Sequence, residues 1–165
     1  MRPDRSMVAF SMVEPQPHTP DGDAEFRARM IESAVHTLNT EAEGIAALSA
    51  ALRDGLGRTL TAAVEIIRAS QKNDARGRLI VTGMGKSGHV ARKLAATFAS
   101  TGTPASFVHP SEASHGDLGM IMDEDVIFAL SWSGETAELK NIIDYAKRRN
   151  IALIGMTSDA NSTLG

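Results

Sequence analysis

The order of apolar runs, glycine- and hydroxyl-rich turns and amphipathic stretches predicts an α/β fold built on a parallel sheet. Three observations carry that expectation. Short apolar runs at Arg78–Thr82, Pro104–Val108, Val126–Leu130 and Ile151–Met156 read as strands, and the first, followed by glycines and a helix, as a buried parallel strand. Stretches of helical periodicity separate the first run from the second and the third from the fourth. A polar turn follows every run, at Gly83–Gly88, His109–Gly119, Ser131–Thr136 and Thr157–Thr163. In parallel sheets ligands bind beyond those carboxyl ends, at a topological switch point.

The elements follow in order. Residues 1–21 mix charges with Pro3, Pro15, Pro17 and Pro20 and lack the continuous apolar core of a secretory signal, so a disordered leader is expected, with Met7 or Met12 as alternative starts. Phe26, Met30, Ala34, Val35, Leu38, Ala42, Ile45, Leu48 and Leu52 recur at steps of three and four, which predicts a long helix with Asp23 as its N-cap. Gly55 and Gly57 break it. A second helix presents Leu56, Leu60, Ala63, Val64 and Ile67 on one face, and Gln71–Gly77 reads as a loop. After the first strand a helix begins near Lys86, with Val90, Leu94 and Phe98 stacked at four-residue steps. The turn Thr101-Gly102-Thr103 enters the second strand, and a long loop spans His109–Glu124. Behind Ser131–Glu135 the last helix turns Leu139, Ile142, Ile143 and Ala146 inward.

Composition narrows the function. A length of 165 residues suits one domain. Seventeen basic against 20 acidic side chains give a formal net charge of -3, no footprint for nucleic acid or an anionic membrane surface. No apolar run approaches the roughly 18 residues of a membrane span. The absence of cysteine excludes disulfide and thiolate chemistry and fits a cytoplasmic location.

Two turns carry the chemistry. Gly83-Met84-Gly85-Lys86-Ser87-Gly88 has the G-x-G-x-x-G spacing of a dinucleotide site, but the acidic residue that should follow roughly 20 positions on is missing, since the second strand ends at Val108-His109-Pro110. A P-loop fails as well, because Ile80 stands where its first glycine should be. What remains is a glycine turn at a helix N-terminus with Lys86 and Ser87 beside it, an arrangement for an anion and most naturally for phosphate. Its plain alternative is a tight turn with a solvated lysine. Ser131-Trp132-Ser133-Gly134-Glu135-Thr136 sets three hydroxyls around a glycine at another such junction. One helix cap needs one hydroxyl, whereas a phosphate accepts many hydrogen bonds.

The segments Thr82–His89, Ala99–Pro104, Val108–Gly119 (V-H-P-S-E-A-S-H-G-D-L-G) and Ser131–Glu138 (S-W-S-G-E-T-A-E) closely resemble the sugar isomerase (SIS) domain of the arabinose-5-phosphate isomerase family. The resemblance implies a three-layer αβα SIS domain over residues 22–165, preceded by two helices. It implies interconversion of ribulose 5-phosphate and arabinose 5-phosphate, on the way to the Kdo sugar of lipopolysaccharide, by a homo-oligomer, a tetramer in the family. It makes Lys86 and Glu138 catalytic, and places Ser87, Gly102, Thr103, His109, His115, Ser131, Ser133 and Thr136 at the substrate. Aldose–ketose isomerisation moves a proton between C1 and C2 and needs an acid/base group with positive charge or donors at the oxyanion, but in principle no cofactor. Lys86 suits the oxyanion or phosphate charge. Glu138, one turn into the helix, suits proton transfer, while a bland reading leaves it a first-turn glutamate favoured by the dipole. An adventitious, non-essential metal at His109 is also implied.

The match departs in places. Trp132 replaces a small polar residue, usually Asn, and Ser111 a usual Gly. The family's domain continues beyond Gly165 with two further catalytic positions, a Glu and a His, and with CBS domains, so the domain is expected to be incomplete here. The alternatives are an isomerase of another sugar phosphate and a non-catalytic sugar-phosphate-binding module.

Overall fold

The computed structural model of the chain describes residues 20–71 and 76–165. The expected leader therefore lies almost wholly outside the described residues, as does the middle of the Gln71–Gly77 loop. The chain divides into two compact units, Met1–Ala51 and Leu52–Gly165.

In the first unit, α1 (Pro20–Ala51) is a 32-residue helix. It starts at Pro20, whose fixed φ suits a first helical turn, so Asp23 lies inside the helix and is not its N-cap. Phe26, Met30, Leu38 and Ile45 are exposed along it.

In the second unit, Asp54 and Gly55 leave helical geometry, Gly55 at φ +107°, and break the helical run as expected. A Cβ on Gly57 would overlap the Leu52 carbonyl. The next helix, α2 (Gly57–Ala69), does not bury the predicted face. Leu56, Leu60 and Val64 are exposed, and Ile67 alone of that set packs against the sheet core.

The sheet has four parallel strands, β1 (Leu79–Gly83), β2 (Ala105–Val108), β3 (Val126–Leu130) and β4 (Ala152–Met156), in the order β2-β1-β3-β4. Alternation along the strands divides the core in two. Leu79, Val81, Val126 and Leu130 face α3 (Gly85–Ser100) on one side. Ile80, Ile127 and Ala129 face α5 (Lys140–Arg149) and the short helix α4 (Pro110–Ala113) on the other. This is the expected three-layer αβα arrangement. Leu139, Ile142, Ile143 and Ala146 are buried as their spacing requires. The fully buried face of α3 is not its row of large side chains. It is Gly88, Ala91 and Ala95, whereas Val90 is 52% exposed and Leu94 and Phe98 are only half-buried. Small residues let α3 lie close to β1, and a Cβ on Gly88 would come within 2.6 Å of the Gly83 carbonyl oxygen.

Buried Asp125 ties the amino ends of the central strands. Its carboxylate accepts hydrogen bonds from the Arg78 backbone N–H (2.8 Å), the Arg78 guanidinium (2.8 Å) and the Met122 N–H (2.9 Å). A buried charge is tolerable only with such complete pairing. At the other end, the buried Thr82 hydroxyl donates to the Val108 carbonyl at 2.8 Å, locking β1 to β2 beside the glycine turn.

Candidate phosphate-binding site at the carboxyl ends of the strands

The chain leaves β1 toward β2 and later crosses back to place β3 on the other side of β1. The turns that follow β1 and β3 are therefore neighbours at the switch point, where α/β sheets leave a crevice. A cavity of about 490 Å³ opens there. Lys86, Ser87, Ser131, Thr157 and Ser158 supply its polar wall, and Val90, Leu130, Trp132 and Met156 its apolar wall.

The β1 turn is built for close approach. Gly85 sits at φ +55°, and a Cβ on Gly83 would press on the Leu130 and Ser87 carbonyls. Met84, in extended geometry, precedes α3 without any side-chain cap. The N–H groups of the first turn of a helix lack intrahelical partners, and here no side chain takes them. Lys86 is exposed and Ser87 half-buried.

In the β3 turn, hydrogen-bond accounting shows what is left for a ligand. The Ser131 and Thr136 hydroxyls lie 2.7 Å apart and share one proton between them, so one of their two protons stays free. Ser131 Oγ also accepts from the Gly134 N–H at 3.1 Å. Ser133 Oγ accepts from the Glu135 N–H at 3.2 Å, leaving its own proton to donate. Among the described residues, the N–H groups of Ser133 and Thr136 meet no protein acceptor. Ser131 is buried, Thr136 half-buried and Ser133 exposed. The turn thus keeps two hydroxyl protons and two amides available. Thr136 also lines a smaller cavity of about 180 Å³ with Lys140 and Lys147.

The chain after β4 braces this turn. Glu135 accepts from both the N–H and the hydroxyl of Thr163, each at 2.6 Å. Those bonds, the hydroxyl's first, hold the Glu135 carboxyl below its ordinary range. The Leu164 N–H donates to the Gly134 carbonyl at 3.2 Å, and the Ser158 hydroxyl to the Trp132 carbonyl at 2.7 Å.

The remaining expected residues divide. Glu138 lies in the 3₁₀ turn Ala137–Leu139 ahead of α5, exposed, with its neighbour Leu139 fully buried as an anchor. That turn stands where a first α-helical turn is expected. His109 follows β2 and caps α4, its Nδ1 accepting from the Ser111 N–H at 3.3 Å and its ring in a T-shaped contact with Phe107. His115 is exposed in the same loop. Neither histidine lines the 490 Å³ cavity, nor do Glu138, Ser133 and Thr136; of the β3 turn's hydroxyls Ser131 alone reaches its wall. Among the described residues no three His, Asp or Glu side chains converge to hold a metal ion. Gly102 and Thr103 are not at a strand-to-helix rim. Their turn closes α3 and enters β2, with the Thr103 N–H donating to Phe98, so they lie at the amino end of the sheet, opposite the crevice. Sequence reasoning passed over Thr157 and Ser158 as cavity residues and Glu135 as a brace. The hydroxyl-rich run Thr157-Ser158 directly after a strand was the signal for the first two.

The SIS domain family matches residues 73–165, more than half of the chain. This chain belongs to the SIS domain family. Arabinose 5-phosphate isomerase KdsD of Pseudomonas aeruginosa is 48% identical over 134 residues, which cover 81% of this chain and 38% of that protein. KdsD of Yersinia pestis is 47% identical over the same shares. The chain thus spans a little over a third of the length of these curated relatives. An E. coli CFT073 protein solved in complex with arabinose 5-phosphate superposes with a TM-score of 0.53 at 37% identity, covering 68% of this chain and 67% of that one. As an SIS domain, the chain places its two hydroxyl- and glycine-rich turns at adjacent strand ends, β1 and β3.

Proposed function

We propose that this chain carries the substrate-binding and part of the catalytic apparatus of an aldose–ketose isomerase that interconverts D-ribulose 5-phosphate and D-arabinose 5-phosphate. The observation that carries the reading is the meeting of Lys86 and Ser87 with Ser131 in one crevice. Uncapped α3, the free hydroxyl protons and amides of the β3 turn and a lysine together offer a phosphate both charge and donors. Similarity to the KdsD proteins and to the structure bound to arabinose 5-phosphate supports the choice of sugar. Ser87, Ser131, Ser133 and Thr136 hold the phosphate. Lys86 neutralises charge at the phosphate or at the enediolate oxygen, and Glu138 moves the proton between C1 and C2. His109 and His115, in the loop after β2, are assigned to the substrate on the same similarity. The wider role, a cytoplasmic step toward Kdo and lipopolysaccharide by one SIS domain over residues 22–165, rests on the same similarity. The exposed apolar residues of α1 support association into a homo-oligomer. No described helix is long and apolar enough to cross a membrane.

Purified chain incubated with arabinose 5-phosphate should form ribulose 5-phosphate, followed by ¹³C NMR. Lys86→Ala should lower kcat by roughly 10²–10³, and Glu138→Gln by at least about 10². Binding without turnover would replace the enzyme with a sugar-phosphate-binding module.

A further inference from the structure

The crevice has one feature that a phosphate site does not need. Trp132, the only tryptophan in the chain, is 81% exposed between two serines of the β3 turn. Val90 and Met156, at 52% and 54%, and Leu130 share the cavity wall with it. Single exposed apolar residues are ordinary, but several around one concavity mark a binding surface. The backbone beneath the indole is fixed. The Trp132 carbonyl accepts from the Ser158 N–H (3.0 Å), the Ser158 hydroxyl (2.7 Å) and the Thr157 hydroxyl (3.2 Å). Among the described residues the indole N–H meets no protein acceptor. The ring is thus a rigidly based, two-faced platform with a free donor, standing next to Ser131 and Lys86.

We propose that Trp132 sets the ligand specificity of the crevice by stacking on the C–H face of a cyclic sugar phosphate, with its N–H free for a ring hydroxyl. The inference rests on the sugar-phosphate reading of this site and sharpens it. Elementary sugar chemistry then gives a direction. In an aldopentose 5-phosphate, O4 can close on C1 to form a furanose that offers such a face. In the corresponding 2-ketopentose 5-phosphate, O5 is esterified and closure of O4 on C2 would need a four-membered ring, so the sugar stays open. The indole therefore favours the aldose form.

Calorimetric titration of arabinose 5-phosphate, ribulose 5-phosphate and inorganic phosphate into the chain with native Trp132, Trp132→Phe and Trp132→Asn tests this, each carried on Glu138→Gln so that the two sugars do not interconvert during the titration. Trp132→Asn should weaken arabinose 5-phosphate about tenfold, the size of one aromatic contact, and change ribulose 5-phosphate less than about twofold. Inorganic phosphate should bind both variants as it binds the native chain, which also shows that they are folded, and Trp132→Phe should keep most of the affinity. Arabinose 5-phosphate should move the single-tryptophan emission to shorter wavelength saturably, and phosphate should not. Equal affinity of Trp132→Asn for arabinose 5-phosphate overturns the role of Trp132 and leaves the phosphate site standing. Failure of the native chain to bind any of the three overturns the sugar-phosphate reading itself. An emission already at short wavelength that shifts with protein dilution shows the indole covered by a second copy, which also overturns the proposal.

Discussion

At Gly134 the backbone takes φ +69°, and a Cβ there would run into the Ser162 side chain, so the β3 turn can close over the chain after β4 only without one. The contact brings Glu135 to Thr163, and that pair makes a pH-dependent brace. The Glu135 carboxyl is depressed in the folded chain. Its contribution is therefore fully present above the ordinary glutamate range and is lost as pH falls through the lower folded value. The Thr163 amide resonance should titrate with a midpoint below that of free glutamate, and Glu135→Ala should abolish the step. A midpoint in the ordinary range would remove the brace from the account. Glu135 was visible in the sequence only as part of a motif, because its partner stands 28 positions away and no local pattern joins them.

Among the elements, the strands were legible to within a residue or two: β1 and β3, apolar on both faces, have few places to go but the middle of a sheet, whereas the edge strands β2 and β4 were marked by their short apolar runs next to polar turns and stay partly exposed. Helix faces were less so. Four-residue steps of large side chains picked out Val90, Leu94 and Phe98, and Leu94 and Phe98 do pack against the core, but the residues that α3 buries fully are Gly88, Ala91 and Ala95. Close approach selects small residues, and periodicity weighted by size misses them. The same proximity sets a prediction. Gly88→Ala gains about 1 kcal/mol of helix propensity but drives a Cβ to 2.6 Å from the Gly83 oxygen, an overlap costing about 1–3 kcal/mol. A net loss of up to about 2 kcal/mol is expected, read as a lower urea midpoint with unchanged slope. Because the shift also displaces the first turn of α3, phosphate affinity should fall with it. The predicted face of α2 failed for a different reason. Its periodicity is real, but of Leu56, Leu60, Val64 and Ile67 only the last meets the core.

At the scale of the molecule, the function depends on strand order, which no run of residues spells out. Each polar turn was legible as a strand end, but that the β1 and β3 turns are neighbours follows from the order β2-β1-β3-β4. The same topology carries Gly102 and Thr103 to the amino end of the sheet, opposite the crevice. It also brings Thr157 and Ser158 in beside Ser131, since β4 lies next to β3. The site that results is a convergence of three turns rather than a single motif. The most direct test of that convergence is amide chemical-shift mapping of the chain as arabinose 5-phosphate is added. Saturable shifts in Gly83–Gly88, Ser131–Thr136 and Thr157–Ser158 are the predicted result. Shifts centred on Gly102–Thr103 and the amino end of the sheet, with those three turns unmoved, would contradict it.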